Sequence, residues 1–263
     1  MNRNNLIWGV VLLLVGGFLL AVNLGIVPIM NANLIAALFI SGGILFLGAY
    51  FANGIDQWGW LFPATALLAV GATIWFSESG FDGEWIGAMF MIAVAVPFWV
   101  AYLTNRENWW ALIPGGLMTM VAVLVAGTTT RIAEEIWVAL MLAGFGVVFL
   151  LVYYSRQDNW WAIIPGGSFL GIGATVLFAG MDLPGPLETR LAGGSFMLIL
   201  GLTFGALWLL REKHGTKWAK YPAVAVGSIG ALVMVIGESV EYVWPLILIG
   251  VGAWLLWRGR IRV

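Results

Sequence analysis

Long uncharged stretches alternate with short polar breaks along almost the whole of this sequence. The stretches fall at about 5–26, 33–52, 57–76, 85–104, 108–127, 136–155, 159–179, 191–210, 221–237 and 242–257, and none contains Asp, Glu, Lys, Arg or His. A helix rising about 1.5 Å per residue needs about 20 apolar residues to cross the hydrocarbon of a bilayer, and each stretch is near that length. The pattern predicts ten transmembrane helices. Nothing charged lies between Arg3 and Asp56, where only the segment from Asn23 to Asn33, with Pro28, marks a turn; that region is read as two spans rather than one.

A second periodicity overlies the first. Asn108-Trp109-Trp110-Ala111-Leu112-Ile113-Pro114-Gly115-Gly116 returns 51 residues later as Asn159-Trp160-Trp161-Ala162-Ile163-Ile164-Pro165-Gly166-Gly167, with one Leu-to-Ile change. Related starts are Gln57-Trp58-Gly59-Trp60 before Pro63 and Trp218 before Pro222, and Trp8 stands alone near the beginning. Recurrence at a fixed spacing is the signature of a tandem array. The expected fold is therefore an all-α membrane protein: ten transmembrane helices arranged as five helical-hairpin repeats of about 51 residues. The repeats fall at 1–55, 56–107, 108–158, 159–214 and 215–263 of a single integral membrane domain spanning 1–263. All five hairpins enter and return on the same side, so the repeats are parallel and not the inverted halves common in transporters.

Composition agrees with a lipid environment. The chain is 62% hydrophobic and 10% charged, with 16 Trp and a mean hydropathy of +0.97, against roughly 25% charged residues in soluble domains. The net charge of −1 conceals a strong asymmetry. Breaks on the side of both ends hold Arg3, Arg106, Arg156, Arg211, Lys213, Lys217, Lys220, Arg258, Arg260 and Arg262; the opposite breaks hold only Arg131 and Arg190. Those opposite breaks carry Glu78, Asp82, Glu84, Glu134, Glu135, Asp182, Glu188, Glu238 and Glu241. Lys and Arg accumulate on the cytoplasmic side, so both termini are expected to be cytoplasmic and the acidic loops external. The basic residues are dispersed along the membrane edge, where anionic lipid is the natural partner, and nothing points to nucleic acid. The first apolar stretch has no small-residue cleavage site and reads as an anchor.

The aromatic starts are the leading candidate sites. Trp58, Trp60, Trp109, Trp110, Trp160, Trp161 and Trp218 are read as interfacial anchors, because an indole offers an apolar ring to the lipid and an N–H to the headgroups. A quinone, pigment or lipid site is the alternative for the Trp pairs. Pro63, Pro114, Pro165 and Pro222 follow at helix starts, where the missing N–H costs no intrahelical bond. The expectation is that Pro114 and Pro165 open the regular helix and leave the Trp pairs lying along the headgroups. Gly115, Gly116, Gly166 and Gly167, with Gly171, Gly201 and Gly205, offer small-residue faces for close helix approach.

Glu84, Glu135 and Glu241 precede spans, where a carboxylate is stabilised by the helix dipole, and Asp82 with Glu84 is the nearest approach to a cation-binding loop. The cluster Arg211, Lys213, Lys217 and Lys220 is a solvated basic loop, with docking of a cytoplasmic partner as the alternative.

Chemistry-bearing residues are scarce. Cysteines are absent, and the lone His214 is expected to be an exposed loop residue, without a second histidine to share a metal or haem. Charge-free spans argue against proton-coupled transport and voltage sensing. No serine or threonine has a base beside it for nucleophilic catalysis. No enzyme activity and no cofactor are expected. Ser41, Thr65, Thr119, Ser168, Thr175, Ser195 and Thr203 are scattered hydroxyls available to line a pathway, or else bonded within packed helices.

The opening Leu6-Ile7-Trp8-Gly9-Val10-Val11-Leu12-Leu13-Leu14-Val15-Gly16-Gly17, continuing to Ala21-Val22-Asn23-Leu24-Gly25-Ile26, resembles the transmembrane region of the LiaI and LiaF type of bacterial envelope-stress proteins. Val243-Trp244-Pro245-Leu246-Ile247-Leu248-Ile249-Gly250-Val251-Gly252 is similar to the second helix of that region. The resemblance implies a bacterial cytoplasmic-membrane protein that organises or senses the envelope by holding partners. The chain departs from the LiaF pattern in multiplying the hairpin and in lacking its soluble domain. The expected function is thus a non-catalytic scaffold or accessory subunit that packs against membrane lipids and other membrane proteins or itself. The alternatives are a facilitator or channel for neutral or lipid-like solutes, and a pigment- or quinone-binding subunit.

Overall fold

The structure is a computed structural model. It describes residues 31–237 apart from Asp182 and Gly185, together with residues 13, 16, 17, 20, 21, 24, 245 and 248–254. The described chain is helical throughout: α1 Ala32–Asn53, α2 Leu61–Glu78, α3 Gly83–Thr104, α4 Leu112–Gly127, α5 Glu134–Ser155, α6 Ile163–Ala179, α7 Leu187–Leu209, the short α8 Arg211–His214, and α9 Lys220–Ile236. Eight helices, counting the tight turns that lead into four of them, are long and apolar enough to cross a membrane. They fall on the eight stretches expected between 33 and 237. The spans at 5–26 and 242–257, and with them Trp8 and most of the residues that carry the family resemblance, lie largely outside the described residues.

Helix boundaries follow from local chemistry. Asn31 caps α1, its Oδ1 accepting from the Leu34 N–H at 2.9 Å, which satisfies one of the four orphan donors of a helix start. At the far end Gly54 takes φ 102°, a conformation that a Cβ would oppose. α5 begins at Glu134 and α7 at Leu187, two and four residues before the sequence reading placed them. Carboxylates in the first turn (Glu84 in α3, Glu134 and Glu135 in α5, Glu188 in α7) are favourable there, so acidic residues join the helix instead of bounding it.

The aromatic starts share one fold. Trp58–Trp60, Trp109–Ala111, Trp160–Ala162 and Lys217–Ala219 each form a tight 3₁₀ turn that runs directly into the next α-helix. Pro63, Pro114, Pro165 and Pro222 therefore occupy the third α-helical position, and the expectation that Pro114 and Pro165 open the helix is corrected. The 3₁₀ turn shortens the helix start without interrupting it, since a proline this near the beginning removes only an N–H that has no need of an intrahelical partner.

Packing is serial. Among the described residues, every extensively packed pair of long helices is adjacent in the chain: α1 on α2, α2 on α3, and so on to α7 on α9. Only 11–33% of each span is buried, so most apolar side chains face outward, as a lipid-solvated row requires. Backbones approach where side chains are small. A Cβ on Gly71 would lie 2.9 Å from the Ala36 carbonyl oxygen, one on Gly146 2.7 Å from that of Gly166, and one on Gly201 2.6 Å from the Gly227 nitrogen. The closest such contacts include α1·α2, α5·α6 and α7·α9, pairs joined by the loops that carry the aromatic starts. Gly116 faces Val148 and Gly167 faces Thr203, so both belong to interfaces as expected, whereas among the described residues nothing lies near Gly205. Gly205 is on an open face, and its expected packing role is corrected.

Candidate functional site

Two regions concentrate the non-uniform features of the molecule. The first is a belt at the end of the row that carries the aromatic starts. Each start leans on the next: Trp58 and Trp110 have ring centroids 5.8 Å apart, Trp109 and Trp161 6.4 Å, and Trp160 and Trp218 6.5 Å. In the first two contacts the leading Trp of one start meets the second Trp of the following start. The second rings stay open, since Trp60, Trp110 and Trp161 are each 39% exposed and Trp218 is 45%. The Trp residues thus contact their neighbours and still present an indole to the surroundings, and the first of these features was missed by reading them one start at a time. Its sequence signal was the doubling of Trp itself.

Polar groups beneath the rings link neighbouring units. Tyr102 Oη and Ser155 Oγ lie 3.1 Å apart, and Tyr153, which stands 51 residues after Tyr102, reaches His214 Nε2 at 3.2 Å. His214 is therefore half-buried against a tyrosine, which corrects its expected place as an exposed loop residue. Arg156 pairs with Glu107 at 2.9 Å, both side chains substantially exposed. Asn108 donates from Nδ2 to the Ala101 carbonyl at 3.0 Å, tying a start to the preceding helix, and Thr216 Oγ1 does the same to Leu207 at 2.5 Å. Asn159 holds the corresponding place, is buried, and leaves its Nδ2 without a partner among the described residues.

Of the basic loop, two members have side-chain partners, although Lys213 is itself exposed. Arg211 lies over the Trp208 ring at 4.5 Å and pairs with Glu212 at 3.4 Å, and Lys213 donates to Gln157 Oε1. Lys217 and Lys220 are exposed.

The second region is a set of clefts near the opposite end. One of about 410 Å³ lies between the second half of α2 and the first half of α3, lined by Val70, Thr73, Ile74, Ser77, Ile86 and Phe90 among others. A second, of about 180 Å³, opens from the same helix pair around Ala69, Ile86 and Ala93. A third, of about 410 Å³, lies between α3 and α4 around Trp85, Met89 and Ala126. All are overwhelmingly apolar.

The seven hydroxyls considered as pathway-lining all have hydrogen-bond partners. Ser41, Thr65, Thr119, Ser168, Thr175 and Thr203 donate to the carbonyl three or four residues back, and Ser195 bonds both Ala192 O and Thr175 Oγ1. Thr119 also accepts from Trp99 Nε1 at 3.0 Å. Among the described residues no three His, Asp or Glu side chains gather as a metal site, and Asp82 and Glu84 stand without further ligands. No protein-family model matches the sequence, and neither a curated protein nor a solved structure is significantly similar to it.

Proposed function

We propose that this protein is a non-catalytic scaffold or accessory subunit of a bacterial cytoplasmic membrane, built from five tandem hairpins with ten spans and both termini cytoplasmic. The observation that carries the proposal is the serial packing: the described helices associate with their chain neighbours and leave most of each apolar span uncovered. A row of this kind offers lateral surface to lipids and to helices of other membrane proteins, as stacked repeats offer extended surface in soluble proteins. The exposed Trp edges then set the depth of the row, and Lys217 and Lys220 face the anionic leaflet. The resemblance of residues 6–26 and 243–252 to the LiaI and LiaF transmembrane region supports a role in organising the envelope.

The test is purification of the full chain in mild detergent followed by mass measurement of the intact particle. Co-purifying membrane protein, or a defined multiple of the chain, is expected. Recovery only as a bare monodisperse monomer, with neither protein nor lipid attached, would overturn the proposal. The facilitator reading is weakened by the bonding of all seven of its hydroxyls.

A further inference from the structure

The cleft between α2 and α3 is lined by residues that differ from those at the corresponding places of a later pair. In the corresponding pair α4·α5, 51 residues on, the Trp137 ring lies against Gly127 and Met120 lies against Gly144. In α2·α3 the counterparts of Trp137 and Met120 are Ile86 and Ala69, and those of Gly127 and Gly144 are Phe76 and Ala93. Ile86 lines both clefts of this pair, and Ala69 and Ala93 line the smaller. The two pairs thus differ in what lines the interface: Ile86 and Phe76 stand where α4·α5 has Trp137 and Gly127, and two alanines stand where it has Met120 and Gly144.

Polar features of the cleft are also distinctive. Thr73 and Ser77, one turn apart on α2, line its wall, and neither hydroxyl makes a hydrogen bond among the described residues. Thr65 on the same helix bonds back to Leu61 O at 2.9 Å, the usual recourse of a helical hydroxyl. At the mouth Ser77 and Gly83 adjoin Glu78, Asp82 and Glu84, three exposed carboxylates with no ion pair among the described residues. Asp82 sits at the N-cap of α3 without a side-chain capping bond. The cleft thus runs from an apolar floor, past two free donors, to an anionic rim.

We propose that this cleft is a lipid site: it holds an acyl chain of a phospholipid whose ester oxygens accept from Thr73 and Ser77 and whose ammonium headgroup, as in phosphatidylethanolamine, lies against Glu78, Asp82 and Glu84. The apolar floor selects a hydrocarbon chain, and the rim discriminates by charge, since carboxylates attract an ammonium and repel an anionic headgroup. The site rests on the membrane-spanning reading but not on the scaffold role.

The full chain in mild detergent is titrated with phosphatidylethanolamine or phosphatidylglycerol of matched acyl chains, and bound lipid is counted by native mass spectrometry. Roughly fivefold preferential retention of phosphatidylethanolamine is expected, on the scale of one charge near a membrane surface. Joint Glu78→Gln, Asp82→Asn and Glu84→Gln replacement should erase the preference while a lipid is still retained. Ile86→Trp, or separately Ile74→Trp, both at residues that line this cleft, should abolish retention of that lipid in protein that remains monodisperse. Equal retention of the two lipids by the unaltered chain overturns the proposal, as does undiminished retention in both filled variants. If neither filled variant folds, the headgroup preference and its loss on neutralisation decide the matter. Failure of the spanning reading is seen separately, as protein that stays soluble after alkaline washing without detergent.

Discussion

At the scale of single residues, equivalent positions that differ in their bonding provide the sharpest contrasts. Asn108 and Asn159 stand 51 residues apart, yet only Asn108 donates to a neighbouring carbonyl. A buried donor left without a partner costs more than one removed altogether. Asn108→Ala should therefore destabilise by about 1 kcal/mol, whereas Asn159→Ala, which removes an unpartnered donor together with only a long 3.4 Å acceptance from Trp161 Nε1, should cost less; unfolding in mixed micelles measures both. Two glycines make a similar pair. Gly116→Ala would drive a Cβ into Val148 and should cost about 1–3 kcal/mol. Gly205→Ala meets nothing and should stabilise by up to about 1 kcal/mol through helix propensity. Equal effects of the two substitutions would show that α4 and α5 are not packed as described.

At the scale of elements, the aromatic starts act as joints. Each 3₁₀ turn delivers a Trp to the start that follows, so the contact between Trp109 and Trp161 should appear as a coupling of about 0.5–1.5 kcal/mol in a double-mutant cycle. Additive losses would reduce the pair to independent anchors. The exposed Arg156–Glu107 pair bridges the same two starts and should contribute no more than about 1 kcal/mol. Neutralising it should leave thermal stability nearly unchanged at high salt, where exposed charges are screened. On that expectation the rings contribute more than the ion pair to the contact between neighbouring starts.

At the scale of the whole molecule, the distribution of charge and the course of the helices make one claim. The loops joining α2 to α3 and α4 to α5 lie at the end opposite the aromatic starts. Because the natural chain has no cysteine, single thiols report their side without a background. A cysteine replacing Gly80 should react with an impermeant reagent in intact cells, and one replacing Asp158 should react only after permeabilisation. Reversal of that pattern would invert the proposed orientation.

Much of the fold was legible in the sequence because lipid imposes a simple rule: the backbone must satisfy itself within each span, so an uncharged run of the right length is a helix. The positions of α1 to α7 and α9, the 51-residue recurrence and the burial of Gly116 and Gly167 all follow from such runs and from the small residues within them. What only the tertiary structure decided is how neighbours meet. The ring contacts between successive starts, the half-buried His214 and the open face of Gly205 depend on the rotation of each helix about its axis. Apolarity all round a helix leaves that rotation unspecified in the sequence. The cleft of α2 and α3 belongs to the same class. Ile86 and Thr73 are ordinary residues of a membrane helix, and they line a cleft only because of the way α2 and α3 face each other.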